Sequence, residues 1–313
     1  MIKYVLTGIA LKAFSCCSPA RGLYRKIGNT LGQKKRRNQD ISTYIERSDV
    51  LVALLEKHGV LKDGAAMLEL GTGWMHWFSL YARLHADISV DLFDVWDNRQ
   101  FGALKSAFSK LEEKWRDSDN RRPEVAARLD RLLQAPSFDE LYGTFDLAYR
   151  IDSAGSLMSY QGARYDCAFS FHVLEHVPVG SIDDSISNLF RLLKPGGICI
   201  HQIGIDDHLS HYDKKESAKN YLRYSTKTWN RWFENVVQYH NRLQKADYEH
   251  LFKNAGFELL DEWAEKCSIA DLPINDEWNR YTEDDLQTTI LTLVLRKPEA
   301  YEIGSSIIEQ HDR

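Results

Sequence analysis

No stretch of this 313-residue sequence is long and apolar enough to span a bilayer. Cysteine is scarce: Cys16, Cys17, Cys167, Cys199 and Cys267 form an odd, scattered set, which suits a reducing compartment. None of the five has metal-site spacing, and the adjacent pair Cys16–Cys17 is too tight for C-x-x-C. A basic excess is missing as well. With 40 Lys+Arg against 45 Asp+Glu the formal charge is -5, so a broadly basic surface for nucleic acid is not implied. What is present is ordinary: 43% hydrophobic and 27% charged residues, enough for one large domain with additions.

The most informative stretch is AMLELGTGWMHWFSLYARLH, from Ala66 to His85. Met67, Leu68 and Leu70 make a short apolar run that suits a buried strand. Gly71 and Gly73 turn the chain tightly, and Trp74 to Leu84 has helical spacing. A strand, a glycine turn and a helix form a ligand-binding crossing of an α/β sheet. Glycine lets a bound molecule approach the backbone, and helix N-terminal N–H groups receive polar atoms. A dinucleotide fold wants G-x-G-x-x-G, and here His76 occupies the third glycine position while Met75 spoils the G-x-G-x-G alternative. An NAD-linked dehydrogenase is therefore disfavoured.

Upstream, MIKYVLTGIALKAFSCC is short, apolar and slightly basic, but Lys12 and Phe14 do not suit a signal peptide; a helix packed on the domain, or one weakly associated with a membrane, is expected. Arg21 to Arg37 is basic. A solvated linker, a contact with anionic lipid and a contact with RNA all remain open for it. Ile41 to His58 has the apolar spacing of a helix. Beyond the glycine turn, ISVDL is the second strand. Asp91 near its end stands where an acid meets a ribose in nucleotide folds, with Asp94 and Asp97 competing and a helix-capping role as the alternative. Phe101 to Ala135 reads as two charged amphipathic helices, longer than a usual crossover. FDLAYRI, from Phe145, is a third strand ended by Asp152. GARYDCAFSF is the fourth, with HVLEHV after it. A helix from Ile182 to Leu193 stops at LKPGG, before a fifth strand from Ile198 to His201. AGFELLDEW and TTILTLVLR read as the sixth and seventh strands, and Thr282 with Asp285 approximates a capping box.

E-L-G-T-G, YDCAFSFHVLEHVP and LKPGG, in that order, resemble the class I S-adenosylmethionine (SAM)-dependent methyltransferases, of the bacterial type that modifies small molecules or glycans. The resemblance covers roughly Ala66 to Lys297. It implies an α/β fold: a Rossmann-like seven-stranded sheet, the seventh strand antiparallel, with helical insertions after strands 2 and 5. It implies SAM as cofactor and S-adenosylhomocysteine as product. The cofactor would meet Glu69, Gly71, Thr72 and Gly73, then Asp91, Asp152, Phe171 and His172. The implied organisation is an apolar and basic segment over 1–40, the methyltransferase domain over 41–298 with insertions about 101–140 and 203–241, and a tail over 299–313.

Methyl transfer from a sulfonium needs an acceptor held in line, and a hydroxyl acceptor also needs its proton removed. The family's acceptor pockets lie beyond the fourth and fifth strands, which brings in His172, His176, His201, Asp206, His208, His211 and Asp213. His176, His208 and His211 are the candidate catalytic bases. A metal held among Asp206, Asp207, His208, His211 and Asp213 is an alternative, but their spacing matches no fixed motif, so no metal is assigned. There is no N/D-P-P-Y and no Pro-Cys nucleophile, which turns the reading away from nucleic-acid bases. A small-molecule or glycan hydroxyl is the expected acceptor, in the cytoplasm or at the inner membrane face. The competing readings are an RNA or protein methyltransferase that uses the basic arm, and a non-catalytic SAM-binding protein.

Overall fold

The computed structural model describes residues 1–116 and 122–299. Two helices, α1 (Ile2–Phe14) and α2 (Ser18–Arg37), precede α3 (Ser42–Lys57). β1 (Ala66–Leu70) then leads into α4 (Trp77–His85) and β2 (Ser89–Asp94). Three helices, α5 (Phe101–Trp115), α6 (Pro123–Gln134) and α7 (Phe138–Phe145), come before β3 (Leu147–Ile151). β4 (Tyr165–Phe171), α8 (Val179–Leu192) and β5 (Leu193–Gly204) continue the alternation. After β5 come α9 (Thr226–Trp232), α10 (Lys245–Asn254), β6 (Glu258–Lys266), α11 (Glu283–Gln287) and β7 (Thr288–Arg296).

The seven strands form one sheet in the order β3-β2-β1-β4-β5-β7-β6. β1 to β5 pair in parallel, and β7 runs antiparallel to both neighbours. This is the seven-stranded, Rossmann-like methyltransferase sheet that the sequence led us to expect. Its central strands are apolar on both faces because helices cover both. Met67 and Val90 pack with Leu55, Leu80, Phe108 and Leu129 on one side. Leu68, Cys199 and Leu293 pack with Ile186, Leu189 and Phe252 on the other.

A third core joins α1 to the segment after β5. Tyr4, Leu11, Leu209, Tyr221, Trp229, Phe233 and Trp278 are buried together. Tyr4 is fully buried and its hydroxyl donates to Asp207 Oδ2 at 2.6 Å. The N-terminal helix is thus packed into the cap over the sheet, whereas α2 buries no side chain. No described helix is long and apolar enough to cross a membrane. Most of the expected tail, 300–313, lies outside the described residues.

Two local readings differ from the structure. The helical insertion after β2 holds a third helix, α7, which ends at Phe145, so the third strand begins at Leu147 rather than Phe145. Ser137 caps α7, its Oγ accepting the Glu140 N–H at 3.2 Å, and Phe145 is buried within the last turn of the helix. β5 begins at Leu193, earlier than Ile198, because Leu193 pairs with Tyr165 before a register shift.

Candidate functional site

The turn after β1 sits against the carboxyl ends of β2 and β4. Gly71 and Gly73 have φ of 63° and 67°, the left-handed region that glycine enters without strain. The Gly71 N–H donates to the Phe93 carbonyl at 2.8 Å, which ties the turn to β2. A Cβ on Gly71 would lie 2.4 Å from Val173 Cγ2, while a Cβ on Gly73 would meet nothing nearer than 4.0 Å. One glycine is thus forced by the protein, and the other leaves a bare face of backbone on which a ligand can lie.

Below the turn, Glu69 is buried and accepts hydrogen bonds from Thr72 Oγ1 at 3.0 Å and from Ser79 Oγ. Burial pushes its carboxyl up to about 7. Thr72 also meets His76 Nδ1 at 2.8 Å, and Tyr142 closes on His76 Nε2 at 2.8 Å. His76, which breaks the dinucleotide pattern, takes the left-handed backbone itself, with φ of 49°. Burial lowers its pKa to about 3, so it is a neutral structural ring. Glu69 and Thr72 therefore support the turn from beneath.

Asp94, not Asp91, ends β2 beside this turn. Its carboxylate accepts the Gly73 N–H at 3.2 Å and the Val95 N–H at 2.8 Å. Asp91 lies three residues back along the strand, bonded to the Tyr165 hydroxyl and paired with Arg164 at 3.1 Å. Ligands of parallel α/β sheets bind at the carboxyl ends of the strands, and Asp91, expected to meet the cofactor, stops short of that edge. Asp152 does reach the edge. Its N–H donates to the Asp94 carbonyl at 3.0 Å, and its side chain accepts from Ala154 N–H at 2.9 Å and Ser156 Oγ at 3.0 Å. Those bonds, the Ala154 one first, hold its carboxyl below the usual range. Phe171, at the end of β4, stacks on Phe78 at 3.8 Å between ring centroids.

Beyond β4 and β5 lies a cluster of histidines. His172 has φ of 54° and its Nδ1 meets Glu175 Oε1 at 3.2 Å. Glu175 Oε1 also accepts the Gly204 N–H at 3.1 Å. Gly204 is where these groups converge, since a Cβ there would lie 2.8 Å from both Glu175 Oε1 and His172 Nδ1 and 3.3 Å from Asp206 Oδ1. His208 has its ring centroid 5.0 Å from His176, 5.5 Å from His211 and 4.5 Å from His240. All three candidate bases thus stand in one group.

Their surroundings differ. His211 Nε2 meets Asp206 Oδ2 at 2.5 Å, and this bond raises the His211 pKa. Burial and then the neighbouring His176 lower that of His208 to about 4. Of the other residues brought in by position, His201 is a core ring on Ser170 and Phe252, lowered to about 3 by burial. Asp207 is bonded to Tyr4 and to Leu209 N–H, and Asp213 to the N-terminal ammonium, so the carboxylates of both are already engaged. Val173, Glu175, Gly204 and His240 were missed as site residues. Only Glu175 and Val173 carried a signal, as members of the HVLEHV run.

A family model described as a methyltransferase domain matches residues 36–262. No curated protein matches the chain. Among solved structures, magnesium protoporphyrin IX methyltransferase from Synechocystis is 14% identical with a TM-score of 0.49, over 88% of this chain and 99% of that one. A SAM-dependent methyltransferase from Methanosarcina mazei is 17% identical with a TM-score of 0.42, over 78% and 97%. Phosphoethanolamine N-methyltransferase 2 from Haemonchus contortus is 14% identical with a TM-score of 0.42, over 79% and 52%.

Proposed function

We propose, since the chain belongs to the methyltransferase-domain family and is a SAM-dependent methyltransferase, that it methylates a hydroxyl group on a sugar, glycan or related polyhydroxyl compound. SAM supplies the activated methyl group and leaves as S-adenosylhomocysteine. In this reading the bare backbone at Gly73 receives the cofactor, with Phe171, His172 and Val173 as the neighbouring wall. Asp94 accepts the ribose hydroxyls through charge-assisted bonds, and Asp152 accepts the adenine amine. Glu69 and Thr72 hold the turn in shape.

The observation that carries the acceptor class is the Asp206–His211 pair at 2.5 Å, on the loop beyond β5. A hydroxyl must lose its proton as the O–CH3 bond forms and the S–CH3 bond breaks, and an imidazole oriented by a carboxylate is suited to take it. His208 stands between the other two candidates, its ring centroid 5.5 Å from His211 and 5.0 Å from His176. Transfer of labelled methyl from SAM should be assayed on polyols, glycans, amines and RNA. Mass spectrometry should find O-methyl ethers on the first two; methyl groups found only on amines or RNA would overturn the reading.

The N-terminal helices support a membrane-surface contact. Residues 1–39 hold nine Lys or Arg and no Asp or Glu. Ile2, Leu6 and Ile9 are exposed on α1, and Leu23, Ile27 and Leu31 on α2. Apolar stripes at helical spacing beside basic side chains suit an anionic lipid surface. The full chain should sediment with anionic vesicles and not with neutral ones. Leu23→Glu/Ile27→Glu/Leu31→Glu should abolish this without loss of fold, since α2 buries nothing. Equal sedimentation of the variant removes the proposal.

A further inference from the structure

We propose that Glu175, His176 and His208 hold a divalent transition-metal ion. The three residues each offer a ligand atom, and these atoms lie within 4.8 Å of one another. They come from two loops, after β4 and after β5, that share one edge of the sheet.

The groups around Glu175 and His176 occupy one atom of each and leave the other open. Glu175 is 1% exposed, and its Oε1 is occupied by the Gly204 N–H and by His172. Its Oε2 is buried with no hydrogen-bond partner among the described residues. A buried carboxylate oxygen in that condition is costly unless something positive meets it. His176 Nδ1 meets the Tyr239 carbonyl at 2.6 Å. A carbonyl only accepts, so the ring donates from Nδ1 and its lone pair is at Nε2. That is the way metal-binding imidazoles are oriented by a carbonyl behind them. The His208 ring faces the same point, its centroid 5.0 Å from that of His176 and 4.5 Å from that of His240.

Two imidazoles and one carboxylate favour manganese, iron, cobalt or zinc over magnesium or calcium, which prefer oxygen. Three protein ligands leave coordination positions open, as in catalytic sites. The position is beside His211, so an acceptor hydroxyl could bind there and lose its proton more readily. That role rests on the hydroxyl-acceptor reading; the seat for the ion does not.

The test is titration of the full-length protein with Co2+ alone, followed by its visible absorption bands. The native protein should bind one equivalent saturably and gain the bands of nitrogen–oxygen coordination. His176→Ala, His208→Ala and Glu175→Gln should each weaken binding roughly 10-fold to 100-fold or more. SAM affinity by calorimetry should be unchanged in the folded His176→Ala and His208→Ala variants, and His250→Ala, at an exposed histidine bonded to Asn254, should behave as native. Glu175 also anchors Gly204, so if Glu175→Gln does not fold, the exposed His176 decides. Failure of the native protein to bind Co2+, or equal binding by His176→Ala and His208→Ala, overturns the proposal. Neither SAM nor an acceptor is present in this titration, so its failure is separate from failure of the hydroxyl reading.

Discussion

Gly71→Val is expected to remove SAM binding while leaving the sheet folded. The residue has φ of 63°, where a β-branched side chain is strained by on the order of 1–3 kcal/mol. Its Cβ would also fall 2.4 Å from Val173 Cγ2 and 3.0 Å from Cγ1, and overpacking of this kind costs about 1–3 kcal/mol. The turn relieves both by shifting, and it then gives up its N–H bond to the Phe93 carbonyl. The surface offered to the cofactor moves with it. The two terms together correspond to a loss of roughly 30-fold to 10⁴-fold in affinity. Calorimetry with SAM and S-adenosylhomocysteine measures this, with circular dichroism as the check on folding. The double variant Gly71→Ala/Val173→Ala should recover part of the loss relative to Gly71→Ala, because it removes the clash and keeps the backbone strain. Native affinity in a folded Gly71→Val protein would show that the turn does not carry the cofactor.

His211→Ala should lower the methyl-transfer rate by roughly 10²–10⁴-fold on a hydroxyl acceptor, the range for loss of a general base. SAM affinity should be unchanged, because His211 stands beyond β5 and away from the glycine turn. The sign of the pH dependence follows from the Asp206 bond. That bond raises the His211 pKa above the ordinary 6.5, with Asp207 adding to it and Lys214 opposing it. Burial alone would raise the pKa of Asp206; the bond to His211, together with the charge interactions of His211, His208 and His172, outweighs it and lowers the pKa. Only neutral His211 accepts a proton, so the rate should rise with pH through the raised value and level off above it. Asp206→Asn should move this limb to lower pH, and His211→Ala should abolish it. His176→Ala and His208→Ala should lower the rate but keep the limb. For stability the sign is reversed: the charged pair helps below the raised value, and its contribution fades as pH rises through it. A full rate and an unchanged profile in His211→Ala would rule out this histidine as the base.

The sequence by itself determined the sheet and its crossings. Met67 to Gly73, Tyr165 to Phe171, LKPGG and the alternating TTILTLVLR each carry their own conformation in a few neighbouring residues, through apolar runs, glycine turns and proline. Helix caps of the same local kind were legible at Thr282 with Asp285 but overlooked at Ser137, and α7 was missed with it. Only the tertiary structure put Asp94 rather than Asp91 beside the glycine turn, because a strand's ligand edge depends on how far its neighbours extend. Only it joined Tyr4 to Asp207 across 203 positions, making α1 part of the cap. It also separated the histidines. His201 and His208 stand seven residues apart in one polar-looking stretch, yet one is pressed onto Phe252 in the core and the other onto His176 and His240 at the mouth. Backbone conformation is set by neighbours in sequence. Whether a side chain is a ligand, a base or core filling is set by what the fold brings against it from elsewhere in the chain.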